Sequence, residues 1–260
     1  MSSLSKTKVD QLGDRLRKGA IAEGDFQLLD VYRRSFADSY DEIVTIIREA
    51  TEFEPNGRPA KSTTSIIEKL RRETIRLSQM QDIAGYRLVV SNVIAQNQVV
   101  ERLKSTLSES VVVDRREQPS FGYRTVQIIA TSRNKPIEVQ VRTEFQHLWA
   151  QLSEKLSDVR DPAIKYGGGD SEIQQTLSNA STLIASLENL ELMISGLKSK
   201  LAGFESQLSA FALSEHNQVL IADAKAKIAD VNAKVTESTA TINRRLRELL
   251  ENAIKSEGGN

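Results

Sequence analysis

The chain contains no cysteine. A disulfide framework, a thiolate metal site and a cysteine nucleophile are all excluded, and the composition fits a reducing compartment. Histidine is scarce: His147 and His216 stand far apart, and neither lies in a His-Asp pair. A histidine-rich metal hydrolase centre is not expected. Charge of one sign is missing too, since 35 Lys and Arg balance 35 Asp and Glu. There is no global basic signature for nucleic acid, so any electrostatic function must come from local clusters. No apolar run reaches the roughly 18 residues of a membrane helix. The opening "MSSLSKTKVDQLGDRLRKG" has no apolar signal core. The expectation is a soluble, cytoplasmic protein without membrane contact. With 260 residues, one sizeable domain plus an appendage, or two small domains, fit the length.

Four regions follow from composition and periodicity. Residues 1–24 are polar without a clear core pattern. From residue 25, Leu28, Val31, Tyr32, Phe36, Tyr40, Ile43, Ile46 and Ile47 recur at helical spacing and predict one or two amphipathic helices before "EPNGRP" breaks them. Residues 60–165 alternate helix and strand signals. "STTSIIEKLRRETIRL", "NQVVERLKSTL" and "EFQHLWAQLSEKLSD" read as helices. "AGYRLVVS", "VVVDR", "YRTVQIIAT" and "IEVQVRT" read as strands, with "SRNKP" as a hairpin loop between the last two. The expected fold class is α+β, a mixed sheet of about five strands flanked by helices, spanning 25–165. The triple glycine of "KYGGGD" marks a hinge at 166–170. Residues 171–257 follow as a tail. Leu183, Leu187, Leu190, Ile194, Leu197, Leu201, Phe204, Leu208 and Phe211 step by alternating four and three, a heptad seam. Ile221, Ala224, Ile228, Val231, Val235, Ile242 and Leu249 continue a weaker form, with a helix break near "SEHN". A helical hairpin, a coiled-coil dimer or helices packed on the globular domain all satisfy this pattern. The tail carries no chemical constellation.

Chemistry concentrates in 58–147. Ser65, Lys69, Arg72 and Arg76 share one helical face, with Arg58 and Lys61 just upstream and Ile66, Ile67, Leu70 and Ile75 opposite. Such a face is either a solvated flank or a clamp for polyphosphate, lysine giving point charge and arginine a bidentate fork. Asp82 opens a β-branched run, and Glu138 sits inside a strand whose alternation puts Glu138, Gln140 and Arg142 on one face. A carboxylate in a strand needs a partner. Salt bridges Asp82–Arg87 and Glu138–Arg142 are one solution. Shared ligation of a magnesium ion, which takes one or two carboxylates plus substrate phosphates, is the other. In "PSFGYRTVQ", Tyr123 is either a core aromatic or a flat face for a purine.

"KSTTSIIEKLRR", "QDIAGYRLVV", "FGYRTVQ" and "IEVQVRTEFQHLWAQLSEKL" stand in the order and spacing of RelA/SpoT-type (p)ppGpp synthetase domains, and the chain resembles a small alarmone synthetase over roughly 25–165. The resemblance implies a nucleotidyltransferase-like fold that moves the β,γ-pyrophosphate of ATP, with Mg2+, to the ribose 3′-hydroxyl of GDP or GTP. It implies Asp82 and Glu138 as catalytic magnesium ligands, with Glu138 also helping to deprotonate the acceptor hydroxyl. Lys61, Ser65, Lys69 and Arg72 would hold ATP phosphates, and Arg87 and Arg58 would flank the adenine. Tyr123, Gln127, Gln140 and His147 would line the acceptor side, and Arg142 would brace the sheet. Three positions depart from the family pattern. Two residues rather than one separate Arg58 from Lys61, Gln127 replaces a histidine, and His147 replaces an asparagine or aspartate. The last two fall on the acceptor side. They leave open a toxic relative that modifies the 3′ CCA end of tRNA or an adenine nucleotide, and a non-catalytic nucleotide sensor or scaffold. Homo-oligomerisation through the tail helices is a further expectation.

Overall fold

The protein is described by a computed structural model covering residues 4–209 and 215–255. In chain order the elements are α1 (Lys6–Lys18), α2 (Asp25–Arg34), α3 (Ala37–Ala50), β1 (Asn56–Arg58), α4 (Thr63–Arg72), β2 (Gly85–Val90), α5 (Val93–Thr106), β3 (Ser110–Asp114), β4 (Val126–Ser132), β5 (Lys135–Thr143), α6 (Glu144–Val159), α7 (Ser171–Ser209) and α8 (Glu215–Lys255). Short 3-10 turns lie at Leu77–Gln79 and Ile164–Tyr166. The expected α+β class holds: five strands form one mixed sheet in the order β1-β2-β5-β4-β3, with helices alongside and two long helices at the end. None of the described helices is long and apolar enough to cross a membrane.

Two compact units divide the chain. The first runs to Val89 and adds Gln98–Asp114 and Val126–Val141. The second comprises Val90–Asn97, Arg115–Thr125 and the chain from Arg142 onward. This corrects the expected boundary at 165/166. Phe145, Leu148, Trp149 and Leu152 of α6 share one apolar core with Leu177, Ile184 and Leu187 of α7 and Leu246 and Ala253 of α8. The last helix expected of the sheet domain is therefore built together with the tail.

In the first unit, β1 pairs antiparallel with β2, and β3, β4 and β5 form an antiparallel meander. The β4–β5 hairpin turns at Arg133 and Asn134, both at positive φ, as a two-residue turn requires. Ile128, Ile137, Val139 and Val141 are fully buried, so alternation on β5 leaves Glu138 and Gln140 on the other face.

Three readings need correction. Residues 1–24 are not merely polar: α1 buries Val9, Leu12 and Leu16 at helical spacing, with Ser5 as its N-cap. "EPNGRP" contains the edge strand β1 as well as a helix break. The helix expected to run through 77 ends at Arg72. Arg17 of α1 donates from Nε to the Leu70 carbonyl (2.7 Å) and from Nη2 to that of Ile75, taking carbonyls that a longer helix would use itself.

The second unit replaces the expected hinge with a packed turn. Gly167 and Gly169 adopt positive φ, Gly168 N donates to Ala163 O (3.0 Å), and Gln174 Nε2 donates to both Ile164 O and Gly168 O (2.7 Å each). α7 and α8 then run antiparallel as a hairpin. Lys225 and Glu205 pair near one end, while Leu246 and Ala253 meet α6 and α7 near the other. The heptad seam of α7 is split: Leu187 and Ile194 are buried, but Leu183, Leu190, Leu197 and Phe204 are exposed. The side chains of Leu208, Phe211 and His216, and residue 214 of the expected break, lie outside the described residues.

Candidate active site

The first unit gathers the donor-side residues around Asp82. Ser62 caps α4, its Oγ accepting from Ser65 N (3.2 Å), so that Lys61 enters from the helix start. Lys61 N donates to Ile83 O (2.7 Å), which ties this segment to the turn before β2. Ile66 and Leu70 bury the opposite side of α4, leaving Ser65, Lys69 and Arg72 on the outer face. Lys61 Nζ then lies 2.8 Å from Asp82 Oδ2, and Lys69 Nζ 3.0 Å from Oδ1. Arg58 Nη2 donates to the Asp82 carbonyl (2.9 Å). Burial pushes the Asp82 carboxyl up, but the two ammonium groups outweigh it and hold it down at about 2. Burial lowers the pKa of Lys61, and Asp82 offsets only part of that. Asp82 is thus held by two lysines, where the sequence alone also allowed Arg87. Arg76, beyond the end of α4, leaves the expected face and lies 3.8 Å from Asp10.

Glu138 faces the same cluster from β5. The strand register pairs Gln127 with Gln140 and Ile129 with Glu138. Gln127 Nε2 donates to Glu138 Oε1 (2.9 Å) and Gln140 Nε2 to Oε2 (2.8 Å), so each carboxylate oxygen holds one amide. Glu138 is only 8% exposed. Burial and the charge of Asp82 raise its pKa, against the Gln140 bond and the charges of Arg58 and Lys69. The neighbouring strand comes close because residue 85 is glycine. A Cβ there would collide with the Glu138 carbonyl oxygen, and Glu138 N donates to Ala84 O (3.2 Å). The two glutamines expected on the acceptor side therefore act directly on the candidate catalytic acid. Gln127 and Gln140 were visible as a strand pattern, but their joint target depends on register.

Arg58 pairs with Gly85 and Asn56 with Arg87 in the β1–β2 ladder. That register makes Arg58 and Arg87 diagonal neighbours on one face, about 7–8 Å apart at the backbone. Across the site, Asp82 and Glu138 offer hard oxygen ligands of the kind magnesium takes. Burial together with repulsion from Asp82 is the imbalance a divalent cation corrects. The described residues contain no group of three or more acidic or histidine ligands, so such an ion would need oxygens from substrate as well.

Tyr123 and His147 belong to the second unit. Arg142, 3% exposed, donates from Nη2 to the Tyr123 hydroxyl (2.6 Å), with its guanidinium carbon 5.1 Å from the ring centroid. It clamps the tyrosine. Trp149 lies tilted to Tyr123 at 6.5 Å. His147 is half-buried on α6.

Comparison with known proteins gives a consistent picture. Residues 57–157 match the family described as a region found in RelA/SpoT proteins. An uncharacterised protein of Mycobacterium tuberculosis is 32% identical over 111 residues, which are 41% of this chain and 41% of the relative. The GTP pyrophosphokinase YjbM of Bacillus subtilis is 28% identical over 165 residues, 55% of this chain and 75% of that protein. The crystal structure of small alarmone synthetase 1 from Bacillus subtilis, bound to its product pppGpp, superposes with a TM-score of 0.50 at 22% identity. It covers 65% of this chain and 97% of that one, and shows the fold.

Proposed function

We propose that this chain, whose residues 57–157 form a RelA/SpoT-type region, is a pyrophosphotransferase of the (p)ppGpp-synthetase kind. It moves the β,γ-pyrophosphate of ATP to the ribose 3′-hydroxyl of GDP or GTP. The observation that carries this reading is the facing of a buried, amide-held Glu138 and an ionised Asp82 beside the Lys61–Lys69–Arg58 cluster.

Each residue has a task. Arg58 and Arg87, on one face of the β1–β2 ribbon, flank the adenine with their planar guanidinium groups. Lys61, Lys69 and Arg72, with Ser65, take the triphosphate, whose oxygens replace the Asp82 oxygens now holding the two lysines. Asp82 and Glu138 would hold magnesium, which supplies charge neutralisation at the phosphates when bound. Gln127 and Gln140 fix the Glu138 carboxylate so that it faces the incoming hydroxyl. The 3′-oxygen attacks the β-phosphorus, the bond from the bridging oxygen to that phosphorus breaks, AMP leaves, and the hydroxyl proton passes to Glu138. Positioning and charge carry most of such a transfer. Tyr123, clamped by Arg142, offers its ring to the acceptor base.

One observation favours a second acceptor class. Gln127 carries no charge and is engaged by Glu138, so it supplies no cation for phosphates of the acceptor. A tRNA 3′ end, whose terminal nucleotide carries a single phosphodiester charge, or AMP, with one phosphate in place of two or three, fits that chemistry. The test offers γ-labelled ATP and magnesium with GDP, GTP, AMP or deacylated tRNA in turn. Label on a guanine nucleotide supports the first reading and label only on tRNA or AMP the second. No transfer at all leaves a non-catalytic nucleotide-binding protein.

A further inference from the structure

An acid stands in the apolar seam of α7. Glu188 follows the buried Leu187 and is itself only 3% exposed. Its Oε1 accepts from Thr143 Oγ1 (2.9 Å) and Gln146 Nε2 (2.7 Å), and its Oε2 lies 3.4 Å from Arg124 Nη2. Thr143 and Gln146 form the capping box that starts α6. Arg124 also donates to Arg116 O (2.8 Å), and Arg116 in turn to Gln96 Oε1 (3.1 Å) and Asn97 Oδ1 (2.7 Å). About two turns earlier on α7, Ser181 Oγ donates to Gly122 O (2.7 Å). Earlier again, Leu177 O accepts from Trp149 Nε1 (2.8 Å), whose ring packs against Gly122.

These bonds converge on one residue from both sides. Gly122 precedes Tyr123 and is fastened by Ser181; Arg124 follows it and is fastened by Glu188. The Tyr123 hydroxyl is held by Arg142, whose neighbour Thr143 is again bonded to Glu188. A buried carboxylate in an apolar helix seam gives no stability that a packed apolar side chain would lack. What it can supply is a fixed geometry for its donors.

We propose that Glu188 is a positioning residue for the acceptor side. It locks the segment carrying Tyr123, with Ser181 as a second fastening, so that α7, beyond the matched region 57–157, is a working part of acceptor binding. This rests on the reading of Tyr123 as the platform for the acceptor base.

The test uses the full chain and two readouts. Trp149 is the only tryptophan, so its quenching by acrylamide reports the hold on Gly122 whatever the activity. Steady-state kinetics with the acceptor that the wild type uses from GDP, GTP, AMP and deacylated tRNA reports the acceptor side. Glu188→Gln is expected to raise acceptor KM about fivefold with ATP KM and kcat within about twofold, and to raise the quenching constant at least about twofold. Glu188→Asp, which keeps the charge, should recover at least half of the KM loss. Ser181→Ala, a milder change, should raise acceptor KM about twofold and stands in if Glu188→Gln does not fold. Unchanged acceptor KM in a folded variant, or an ATP KM that rises in parallel, overturns the proposal. If the wild type transfers to no acceptor, the functional reading falls, and quenching alone decides: increased quenching keeps the fastening role, unchanged quenching ends it.

Discussion

Lys61 Nζ and Asp82 Oδ2 lie 2.8 Å apart, with the two side chains only 12% and 14% exposed. A pair withdrawn that far from water is stable while both charges remain and costly when one is removed. Asp82→Asn leaves Lys61 and Lys69 without their shared anion, so unfolding free energy should fall by about 3 kcal/mol, a Tm loss of roughly 6–12 °C. The pH dependence has a definite sign. Because the folded carboxyl titrates at about 2 against an ordinary 3.8, its stabilisation is complete above pH 4 and is lost as pH falls toward 2. Melting curves of wild type and variant should therefore converge in that window and stay apart above it.

Glu138→Gln should behave oppositely in stability while equally abolishing transfer. The folded pKa of Glu138 lies above the ordinary 4.5, so its ionised form costs stability once pH exceeds the folded value, and no cost remains below 4.5. Removing the charge is expected to raise Tm at pH 7 by about 2–4 °C, and to change it little below pH 4. A lower Tm at pH 7 would show that the amide bonds outweigh the burial and the repulsion from Asp82.

Gly85→Ala tests the close approach of β2 to β5. The added methyl would meet backbone, the Glu138 carbonyl oxygen, which cannot swing away as a side chain can. Overpacking of this kind costs about 1–3 kcal/mol. It should also displace Glu138, so thermal melting and transfer rate should both drop; full activity at wild-type Tm would contradict the stated geometry.

Much of this site was legible in sequence because its chemistry is local. Asp82 at the mouth of a β-branched run, Glu138 within an alternating strand and Lys69 one helical turn from Ser65 need only periods of 2 and 3.6. The missed parts needed register or distant contacts. That Gln127 and Gln140 converge on Glu138 depends on a β4–β5 pairing no motif states. The end of α4 at Arg72, which removes Arg76 from the basic face, depends on Arg17 fifty-three residues from Leu70. β1 is three residues long and carries a glycine, too short for a periodic signal. α1 could have been found, since Val9, Leu12 and Leu16 are spaced three and four apart, but the surrounding charge hid them.

Tyr123→Ala separates the two substrates. Losing the ring that Arg142 clamps should raise acceptor KM at least about tenfold, while ATP affinity by calorimetry stays within about twofold. A collapse of ATP affinity would show that Tyr123 serves the donor instead.

The central claim is pyrophosphate transfer by the Asp82–Glu138 pair, and the most direct measurement is the nucleotide left behind by ATP. With magnesium and an accepted 3′-hydroxyl, the wild type should release one AMP for each acceptor that gains two phosphates, and Glu138→Gln should release none. Release of ADP, or AMP formation that persists unchanged in Glu138→Gln, would contradict it.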